Sequence, residues 1–239
     1  MRVGGVAGAL SGTAINCTNA GSVFGKREKK GISIFAGGVF GAIGGDITAC
    51  INYGSVIATG SYVGGVAGIM TGTSKATLCQ NKGNVSIIGN VVGGVIGSAS
   101  NNNELVLCSN SGTVEGEGYI GGVLGTSMTD SECLVTKCYN SGNVISNGTS
   151  AGGIVGRCGE NMISVTKCYN KGKVNSNYYF GEIIAYVSAT PVLNNLYYLS
   201  KTDELSKAIY NIEDNETDKI MPVSENLSFE QFKIWVEEL

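Results

Sequence analysis

A pair of glycines that returns six times at nearly constant spacing constrains this chain more than any other feature. The pairs are Gly4-Gly5, Gly37-Gly38, Gly64-Gly65, Gly93-Gly94, Gly121-Gly122 and Gly152-Gly153, followed by a degenerate Gly181-Glu182. Their first glycines lie 33, 27, 29, 28, 31 and 29 residues apart. Three residues beyond each intact pair stands another glycine: Gly8, Gly41, Gly68, Gly97, Gly125 and Gly156. A second set keeps the same period. Cys17, Cys50, Cys79, Cys108, Cys138 and Cys168 are each followed by Asn19, Asn52, Asn81, Asn110, Asn140 and Asn170, by a glycine, and by Val23, Val56, Val85, Val114, Val144 and Val174. The unit is G-G-[VI]-x-G, a variable stretch, C-x-N-x-G-x-V and a short return.

A unit of about thirty residues that cannot bury its own apolar side chains must stack on its neighbours, which is the logic of a solenoid. Thirty-seven glycines with only two prolines fit tightly turned strands, and the apolar positions are largely β-branched. Helical periodicity is absent before about residue 200. The expected fold is all-β: a parallel β-solenoid of about seven coils of 27–33 residues over 1–199, with a small helical cap or linker over 200–239. At about 4.8 Å per coil, the stack is roughly 30 Å long.

Six of the eight cysteines hold one repeat position, so each should face its equivalent in the next coil as a buried free thiol. The chain has no CxxC and no histidine, which argues against a metal centre. Cys133 and Cys158 fall outside the ladder, and a Cys133–Cys138 bridge is the alternative for the first of them. The valine row reads as core, where each burial contributes about 1.5–3 kcal/mol. In C-x-N-x-G the asparagine can bond its own backbone and the glycine can take positive φ, so the segment reads as a turn. An exposed, ligand-binding asparagine row is the competing reading. Residues flanking the glycine pairs are apolar on both strand faces, as in Val63, Val66 and Ala67. Either that strand is covered on both sides or the glycines mark a sharp corner.

The pattern G-G-[VI]-x-G followed by C-Y-N-x-G-x-V, as in Gly152–Gly156 and Cys168–Val174, resembles the Glug-motif repeat of bacterial surface proteins. The resemblance covers residues 1 to about 199. It implies a β-solenoid module on or outside a bacterial cell, like those outside the catalytic domain of some immunoglobulin A-cleaving metallopeptidases, and it implies no catalytic residues. Met1 runs straight into the first glycine pair without the n- and h-regions of a signal peptide, and no apolar run reaches 18 residues. Export and anchoring signals are therefore expected elsewhere in a parent protein.

Residues 200–239 carry ten Asp/Glu against four Lys/Arg, so the net charge of −3 conceals a mildly basic repeat region. Ser228-Phe-Glu-Gln231 resembles a capping box, and Phe229, Phe232 and Val236 give an apolar helical face. Such a helix suits the covering of an open coil, or the docking of a next domain.

Motifs that suggest catalysis are weak. Gly148-Thr-Ser150-Ala-Gly152 fits a nucleophile elbow but has no histidine to serve it. Gly116-Glu-Gly118-Tyr-Ile-Gly121 fits a dinucleotide fingerprint with no helix to open, and Ser164-Val-Thr-Lys167 permits a Ser-Lys dyad only formally. Glu115 and Glu117, a close carboxylate pair within the repeats, keep a β-helix carbohydrate-active enzyme as the catalytic alternative. An ice-binding face needs a threonine array in register, which Thr73, Thr77, Thr136 and Thr166 do not form in the sequence.

Length varies most between the third glycine and the cysteine, in 69–78, 98–107, 126–137 and 157–167. Insertions at equivalent places of a solenoid fall on one side, often the binding side. The candidate ligand-binding residues are Asn101, Asn102, Asn103, Thr129 and Asp130 there, and Lys26, Arg27, Lys29 and Lys30 in the basic excursion 24–36. The sequence thus points to a non-enzymatic, monomeric surface module that spaces domains or binds a glycan or host surface protein. No cofactor, no nucleic-acid partner and no membrane insertion are expected. An accessory domain of a surface peptidase is a further alternative.

Overall fold

The structure, a computed structural model, describes residues 1–26, 32–100, 102–128, 132–159, 163–188, 191–199, 209, 220–223 and 226–238, the backbone alone for 220–223. It is a parallel β-solenoid with four sheets, followed by one helix. One coil visits them in turn. Val56–Gly64 lies in sheet A, Ala67–Met70 in sheet B, Lys75–Thr77 in sheet C and Gln80–Asn81 in sheet D. Each pairs in parallel with its equivalent one repeat on, as Val56 with Val85, Ala67 with Ile96, Ala76 with Leu105 and Asn81 with Asn110. Sheets B and C hold seven strands each, so the stack closes about six turns, one fewer than the repeat count suggests. The seventh copy supplies the last rung of sheets B and C.

The glycine pair is a corner. Strand Phe35–Gly37 of sheet A ends at the first glycine, and strand Phe40–Ile43 of sheet B starts beyond the second. The two strands pack almost backbone to backbone. A methyl on Gly37 would lie 2.1 Å from the Phe40 carbonyl, and one on Gly41 would lie 2.5 Å from the Val3 amide nitrogen. Both alternatives raised by the sequence therefore hold: the corner is sharp and its strands are covered.

This glycine wall divides the interior. One apolar cluster lies among sheets B, C and D and contains the cysteine ladder with Val39, Phe40, Ile43 and Ile47. The second lies within the curve of sheet A and contains the valine ladder Val23, Val56, Val85, Val114 and Val144, with Val174 packed beside it. Both clusters bury β-branched and small residues in register, which is where the hydrophobic stabilisation of the fold resides.

The turn from sheet C to sheet D is made by a residue the repeat does not reveal. Asn16, Ala49, Leu78, Leu107, Lys137, Lys167 and Asn195, each just before the cysteine position, are left-handed with φ between 49° and 57°. Only asparagine among these types favours that region. The next coil holds the corner in place, as where the Ala49 amide donates to the Thr77 carbonyl at 2.9 Å.

Residues 209 and 220–223 add to the last turn. Ile209 bridges Ile184 of sheet B, and Ile220–Val223 pairs in parallel with Leu196–Leu199 as an eighth strand of sheet D. The helix, Phe229–Glu237, has the expected capping box: Gln231 N–H donates to Ser228 Oγ, and Gln231 Oε1 accepts from the Ser228 amide. It does not lie across the open end as a cap. It packs on the outer flank of sheet D, where Phe232 and Val236 meet Tyr139, Tyr169 and Tyr197. Those tyrosines share one register column with Thr18, Ile51, Gln80 and Ser109. The column becomes aromatic where the helix docks, so the tyrosine of C-Y-N serves helix docking and not the coil.

Candidate functional site

The asparagine row is an internal amide ladder, not an exposed one. Asn110 Nδ2 donates to the Gly112 carbonyl at 2.8 Å and to Asn140 Oδ1 at 2.9 Å, while Asn110 Oδ1 accepts from Asn81 Nδ2 at 2.8 Å. The same bonds link Asn19, Asn52, Asn81, Asn140 and Asn170. Each asparagine sits where the second glycine of the pair lacks a side chain: a methyl on Gly38 would lie 2.2 Å from Asn52 Cγ, and one on Gly122 would lie 2.5 Å from Asn140 Cγ. In the last copy Tyr198 replaces the asparagine and Glu182 replaces the glycine. Glu182 Oε2 then accepts from Asn170 Nδ2 at 3.2 Å and ends the ladder. The two departures from the repeat compensate each other.

The glycine of C-x-N-x-G is needed for space, not for positive φ. Among the described glycines only Gly72 is left-handed, whereas methyls on Gly54, Gly83 and Gly112 would each lie 2.0 Å from the glycine carbonyl of the preceding coil. Here close stacking, not turn conformation, selects the residue.

All eight cysteines are free thiols, so Cys133 and Cys138 form no bridge, and seven of the eight are buried. The ladder thiols sit near carbonyls, as Cys108 Sγ at 3.3 Å from the Ala76 oxygen and Cys138 Sγ at 3.4 Å from the Thr136 oxygen. Burial raises the thiol pKa of Cys108 and Cys138, and that of Cys133 to about 12, so these groups stay protonated and unreactive. Cys17, at the first rung, is only partly buried, and its pKa is raised by burial and by the neighbouring Cys50. Among the described residues no group of three or more Cys, Asp or Glu is placed to hold a metal ion.

The motif matches dissolve into the coil. Ser150 is fully buried with its Oγ 3.5 Å from the Gly156 carbonyl, so no elbow presents it. Gly116–Gly121 runs from the end of strand Val114–Gly116 to the end of strand Tyr119–Gly121 and opens no helix. Ser164 lies in strand Ile163–Thr166 and Lys167 occupies the left-handed corner. Glu115 and Glu117 are both exposed, and Asn147 Nδ2 donates to Glu115 at 3.1 Å.

The candidate binding residues separate into two places. The variable segments all turn between sheets B and C, where strands such as Ile96–Ala99 and Glu104–Val106 flank them, so they line one edge of the stack. Asn102 is exposed there. Asn103 is not a ligand-facing residue: it is 0% exposed, accepting from the Ser100 amide at 2.7 Å and donating to the Gly72 carbonyl at 2.6 Å. Asn101, Thr129 and Asp130 lie outside the described residues, as do Arg27, Lys29 and Lys30. Lys26 is exposed at the fold of sheet A between Val23–Gly25 and Phe35–Gly37, away from the edge between B and C.

Two features were not legible beforehand. Thr48, Thr77, Thr136 and Thr166 share one register column of sheet C with Ile15, Val106 and Asn194, more regular than the sequence suggested. The next column, Lys75, Glu104, Leu134, Ser164 and Val192, is mixed, so no flat two-column hydroxyl array results. On sheet B, Ser98 Oγ and Arg157 Nε are buried without a partner, and the Arg157 guanidinium lies 5.0 Å from the Tyr119 ring centroid. No helix among the described residues is long and apolar enough to cross a membrane. Compared with family models, curated proteins and solved structures, the chain matches none.

Proposed function

We propose that this chain is a non-catalytic β-solenoid module, of the Glug-repeat type, in a bacterial cell-surface or secreted protein. It works in adhesion, in binding a glycan or host surface protein, or in spacing neighbouring domains. The supporting observation is a division of labour. The repeat's recurring Cys, Asn, Gly and Val residues are consumed inside the stack, whereas the variable segments gather along the single edge between sheets B and C. A scaffold that keeps its signature residues inside and varies one edge is suited to presenting a binding surface.

Ser100 and the exposed Asn102 lie at that edge, and their polar side chains suit hydrogen bonding to sugar hydroxyls. A spacer without a ligand is the second reading, supported by the burial of the repeat's signature residues inside the stack. The test is a screen of the intact chain against glycans, mucins and matrix proteins, beside a variant with 100–102 and 129–131 replaced by Gly-Ser. Binding lost in the variant supports the edge as the adhesive surface. Binding kept in the variant rejects that edge, and no binding by the folded chain leaves the spacer.

A further inference from the structure

Two register columns run side by side along the stack, one near the end of the sheet A strands and one on sheet B. The first holds Phe35, Tyr62, Val91, Tyr119, Ser150 and Tyr179. The second holds Ile69, Ser98, Thr126, Arg157 and Tyr186. Their side chains meet across the seam: the Arg157 guanidinium lies 5.0 Å from the Tyr119 ring centroid, and the Tyr179 and Tyr186 rings lie 5.6 Å apart.

The repeat does not require these residues. Inward columns keep one type from coil to coil, as the valine ladder does, whereas the first column sets a ring on every second coil at Tyr62, Tyr119 and Tyr179. At the strand spacing these rings stand about 10 Å apart. Phe35 extends the row, stacked on Tyr62 with centroids 5.7 Å apart and planes 13° from parallel. All four rings are partly exposed. On sheet D the aromatic column is met by the helix, but no helix among the described residues lies over this one.

The charge on this strip has one sign. Arg157 is partly exposed, its Nε has no partner, and its Nη2 donates only to Ser188 Oγ at 3.4 Å. Among the described residues no carboxylate pairs with it. Arg2 stands in register with Phe35 on the first column, and neither column contains Asp or Glu. A guanidinium partly withdrawn from water is costly without an anion, and its planar set of donors fits a carboxylate bidentately. Rings at equal intervals along a straight axis match a polymer of repeating flat units, and sites of this kind combine aromatic walls with a few placed polar groups. We propose that the strip binds a carboxylated glycan, with sugar faces lying on Tyr62, Tyr119 and Tyr179 and one carboxylate held by Arg157. The strip contains none of residues 100–102 and 129–131, so the inference does not rest on a ligand at the edge between sheets B and C.

The experiment is calorimetric titration of the full chain with hexagalacturonate, its methyl ester and hexaglutamate. The acid should bind, and the ester and the peptide should bind at least about tenfold more weakly, since the ester lacks the charge and the peptide lacks flat sugar faces. Arg157→Gln, checked for an unchanged circular dichroism spectrum, should lose about tenfold in affinity for the acid. Tyr119→Ala should lose severalfold, and Tyr62→Ala serves in its place if that variant does not fold. The variant with 100–102 and 129–131 replaced should bind the acid as the native chain does. No binding of hexagalacturonate up to about 1 mM overturns the proposal. So does an Arg157→Gln chain that binds as tightly as the native one. Equal affinity for the ester removes the carboxylate from recognition, and equal affinity for hexaglutamate makes the strip a mere charge patch; either result overturns the proposal. Binding lost in the loop variant but kept in Arg157→Gln also overturns it, and leaves the edge between sheets B and C as the site.

Discussion

At the first rung Val6 is half exposed and Asn19 has an acceptor to spare; at the last, Ile183 is buried and Glu182 ends the amide ladder. The same repeat position thus experiences two environments within one chain. The contrast teaches that each coil has little stability of its own and is stabilised by whatever lies on its faces, as nearest-neighbour coupling in repeat proteins requires. Closure of the C-terminal end needed new chemistry: a carboxylate where a glycine stood, a tyrosine where an asparagine stood, and chain added from 209 and 220–223.

Substitutions at matched positions can break this comparison. The largest effect is expected from Val123→Asp, which places an unpaired charge at a fully buried site and should cost several kcal/mol, about 3–5, enough to unfold the middle coils. Val6→Asp should cost less than about 1 kcal/mol, because half of that side chain already meets water. Urea titrations of both variants, followed by circular dichroism, measure the difference. Equal losses would show that the first coil is as tightly held as the fifth.

Glycine substitutions sharpen the contrast sterically. Gly122→Ala places a methyl 2.0 Å from the Gly153 carbonyl and 2.5 Å from Asn140 Cγ, and should destabilise by about 3 kcal/mol or more. Gly12→Ala meets nothing within 4 Å and should stay within about 0.5 kcal/mol of the parent. Thermal midpoints of the two variants give the answer.

In the ladder, Asn110→Ala strands the Asn81 and Asn140 amide groups and the Gly112 carbonyl, at a cost of about 2–3 kcal/mol. Asn19→Ala removes the terminal member and should cost about 1 kcal/mol. At the closed end Glu182→Ala leaves Asn170 Nδ2 without its carboxylate, for about 1 kcal/mol, and hydrogen exchange should localise the loosening to the last coils. The smallest test concerns thiols. In the native chain one cysteine in eight, Cys17, should be labelled promptly, with the remaining seven reacting only after denaturant is added. Mass spectrometry of the labelled chain identifies the residue.

Much of the fold could be read from the period alone. Identical spacing of glycines, cysteines, asparagines and valines forces equivalent residues onto equivalent rungs, because a parallel stack keeps every residue beside its own copy. The capping box of the helix was equally legible, since Ser228 and Gln231 act within one turn. The candidate binding residues were less so. Asn103 looks solvated in "SASNNNE", yet it is drawn inward by carbonyls of the preceding coil that no local pattern reveals.

What the sequence by itself determined is the repeat, the parallel register and the ladders, because these follow from periodicity and the need to bury β-branched side chains. Only the tertiary structure decided the rest. It set the division of the core by the glycine wall, the left-handed corners at Ala49, Leu78 and Lys137, the flank on which the helix lies, and the pairing of Glu182 with Asn170. The physical reason is that each depends on contacts between residues a full coil apart or more, or brought together across a corner, where geometry, not local propensity, selects the side chain that fits.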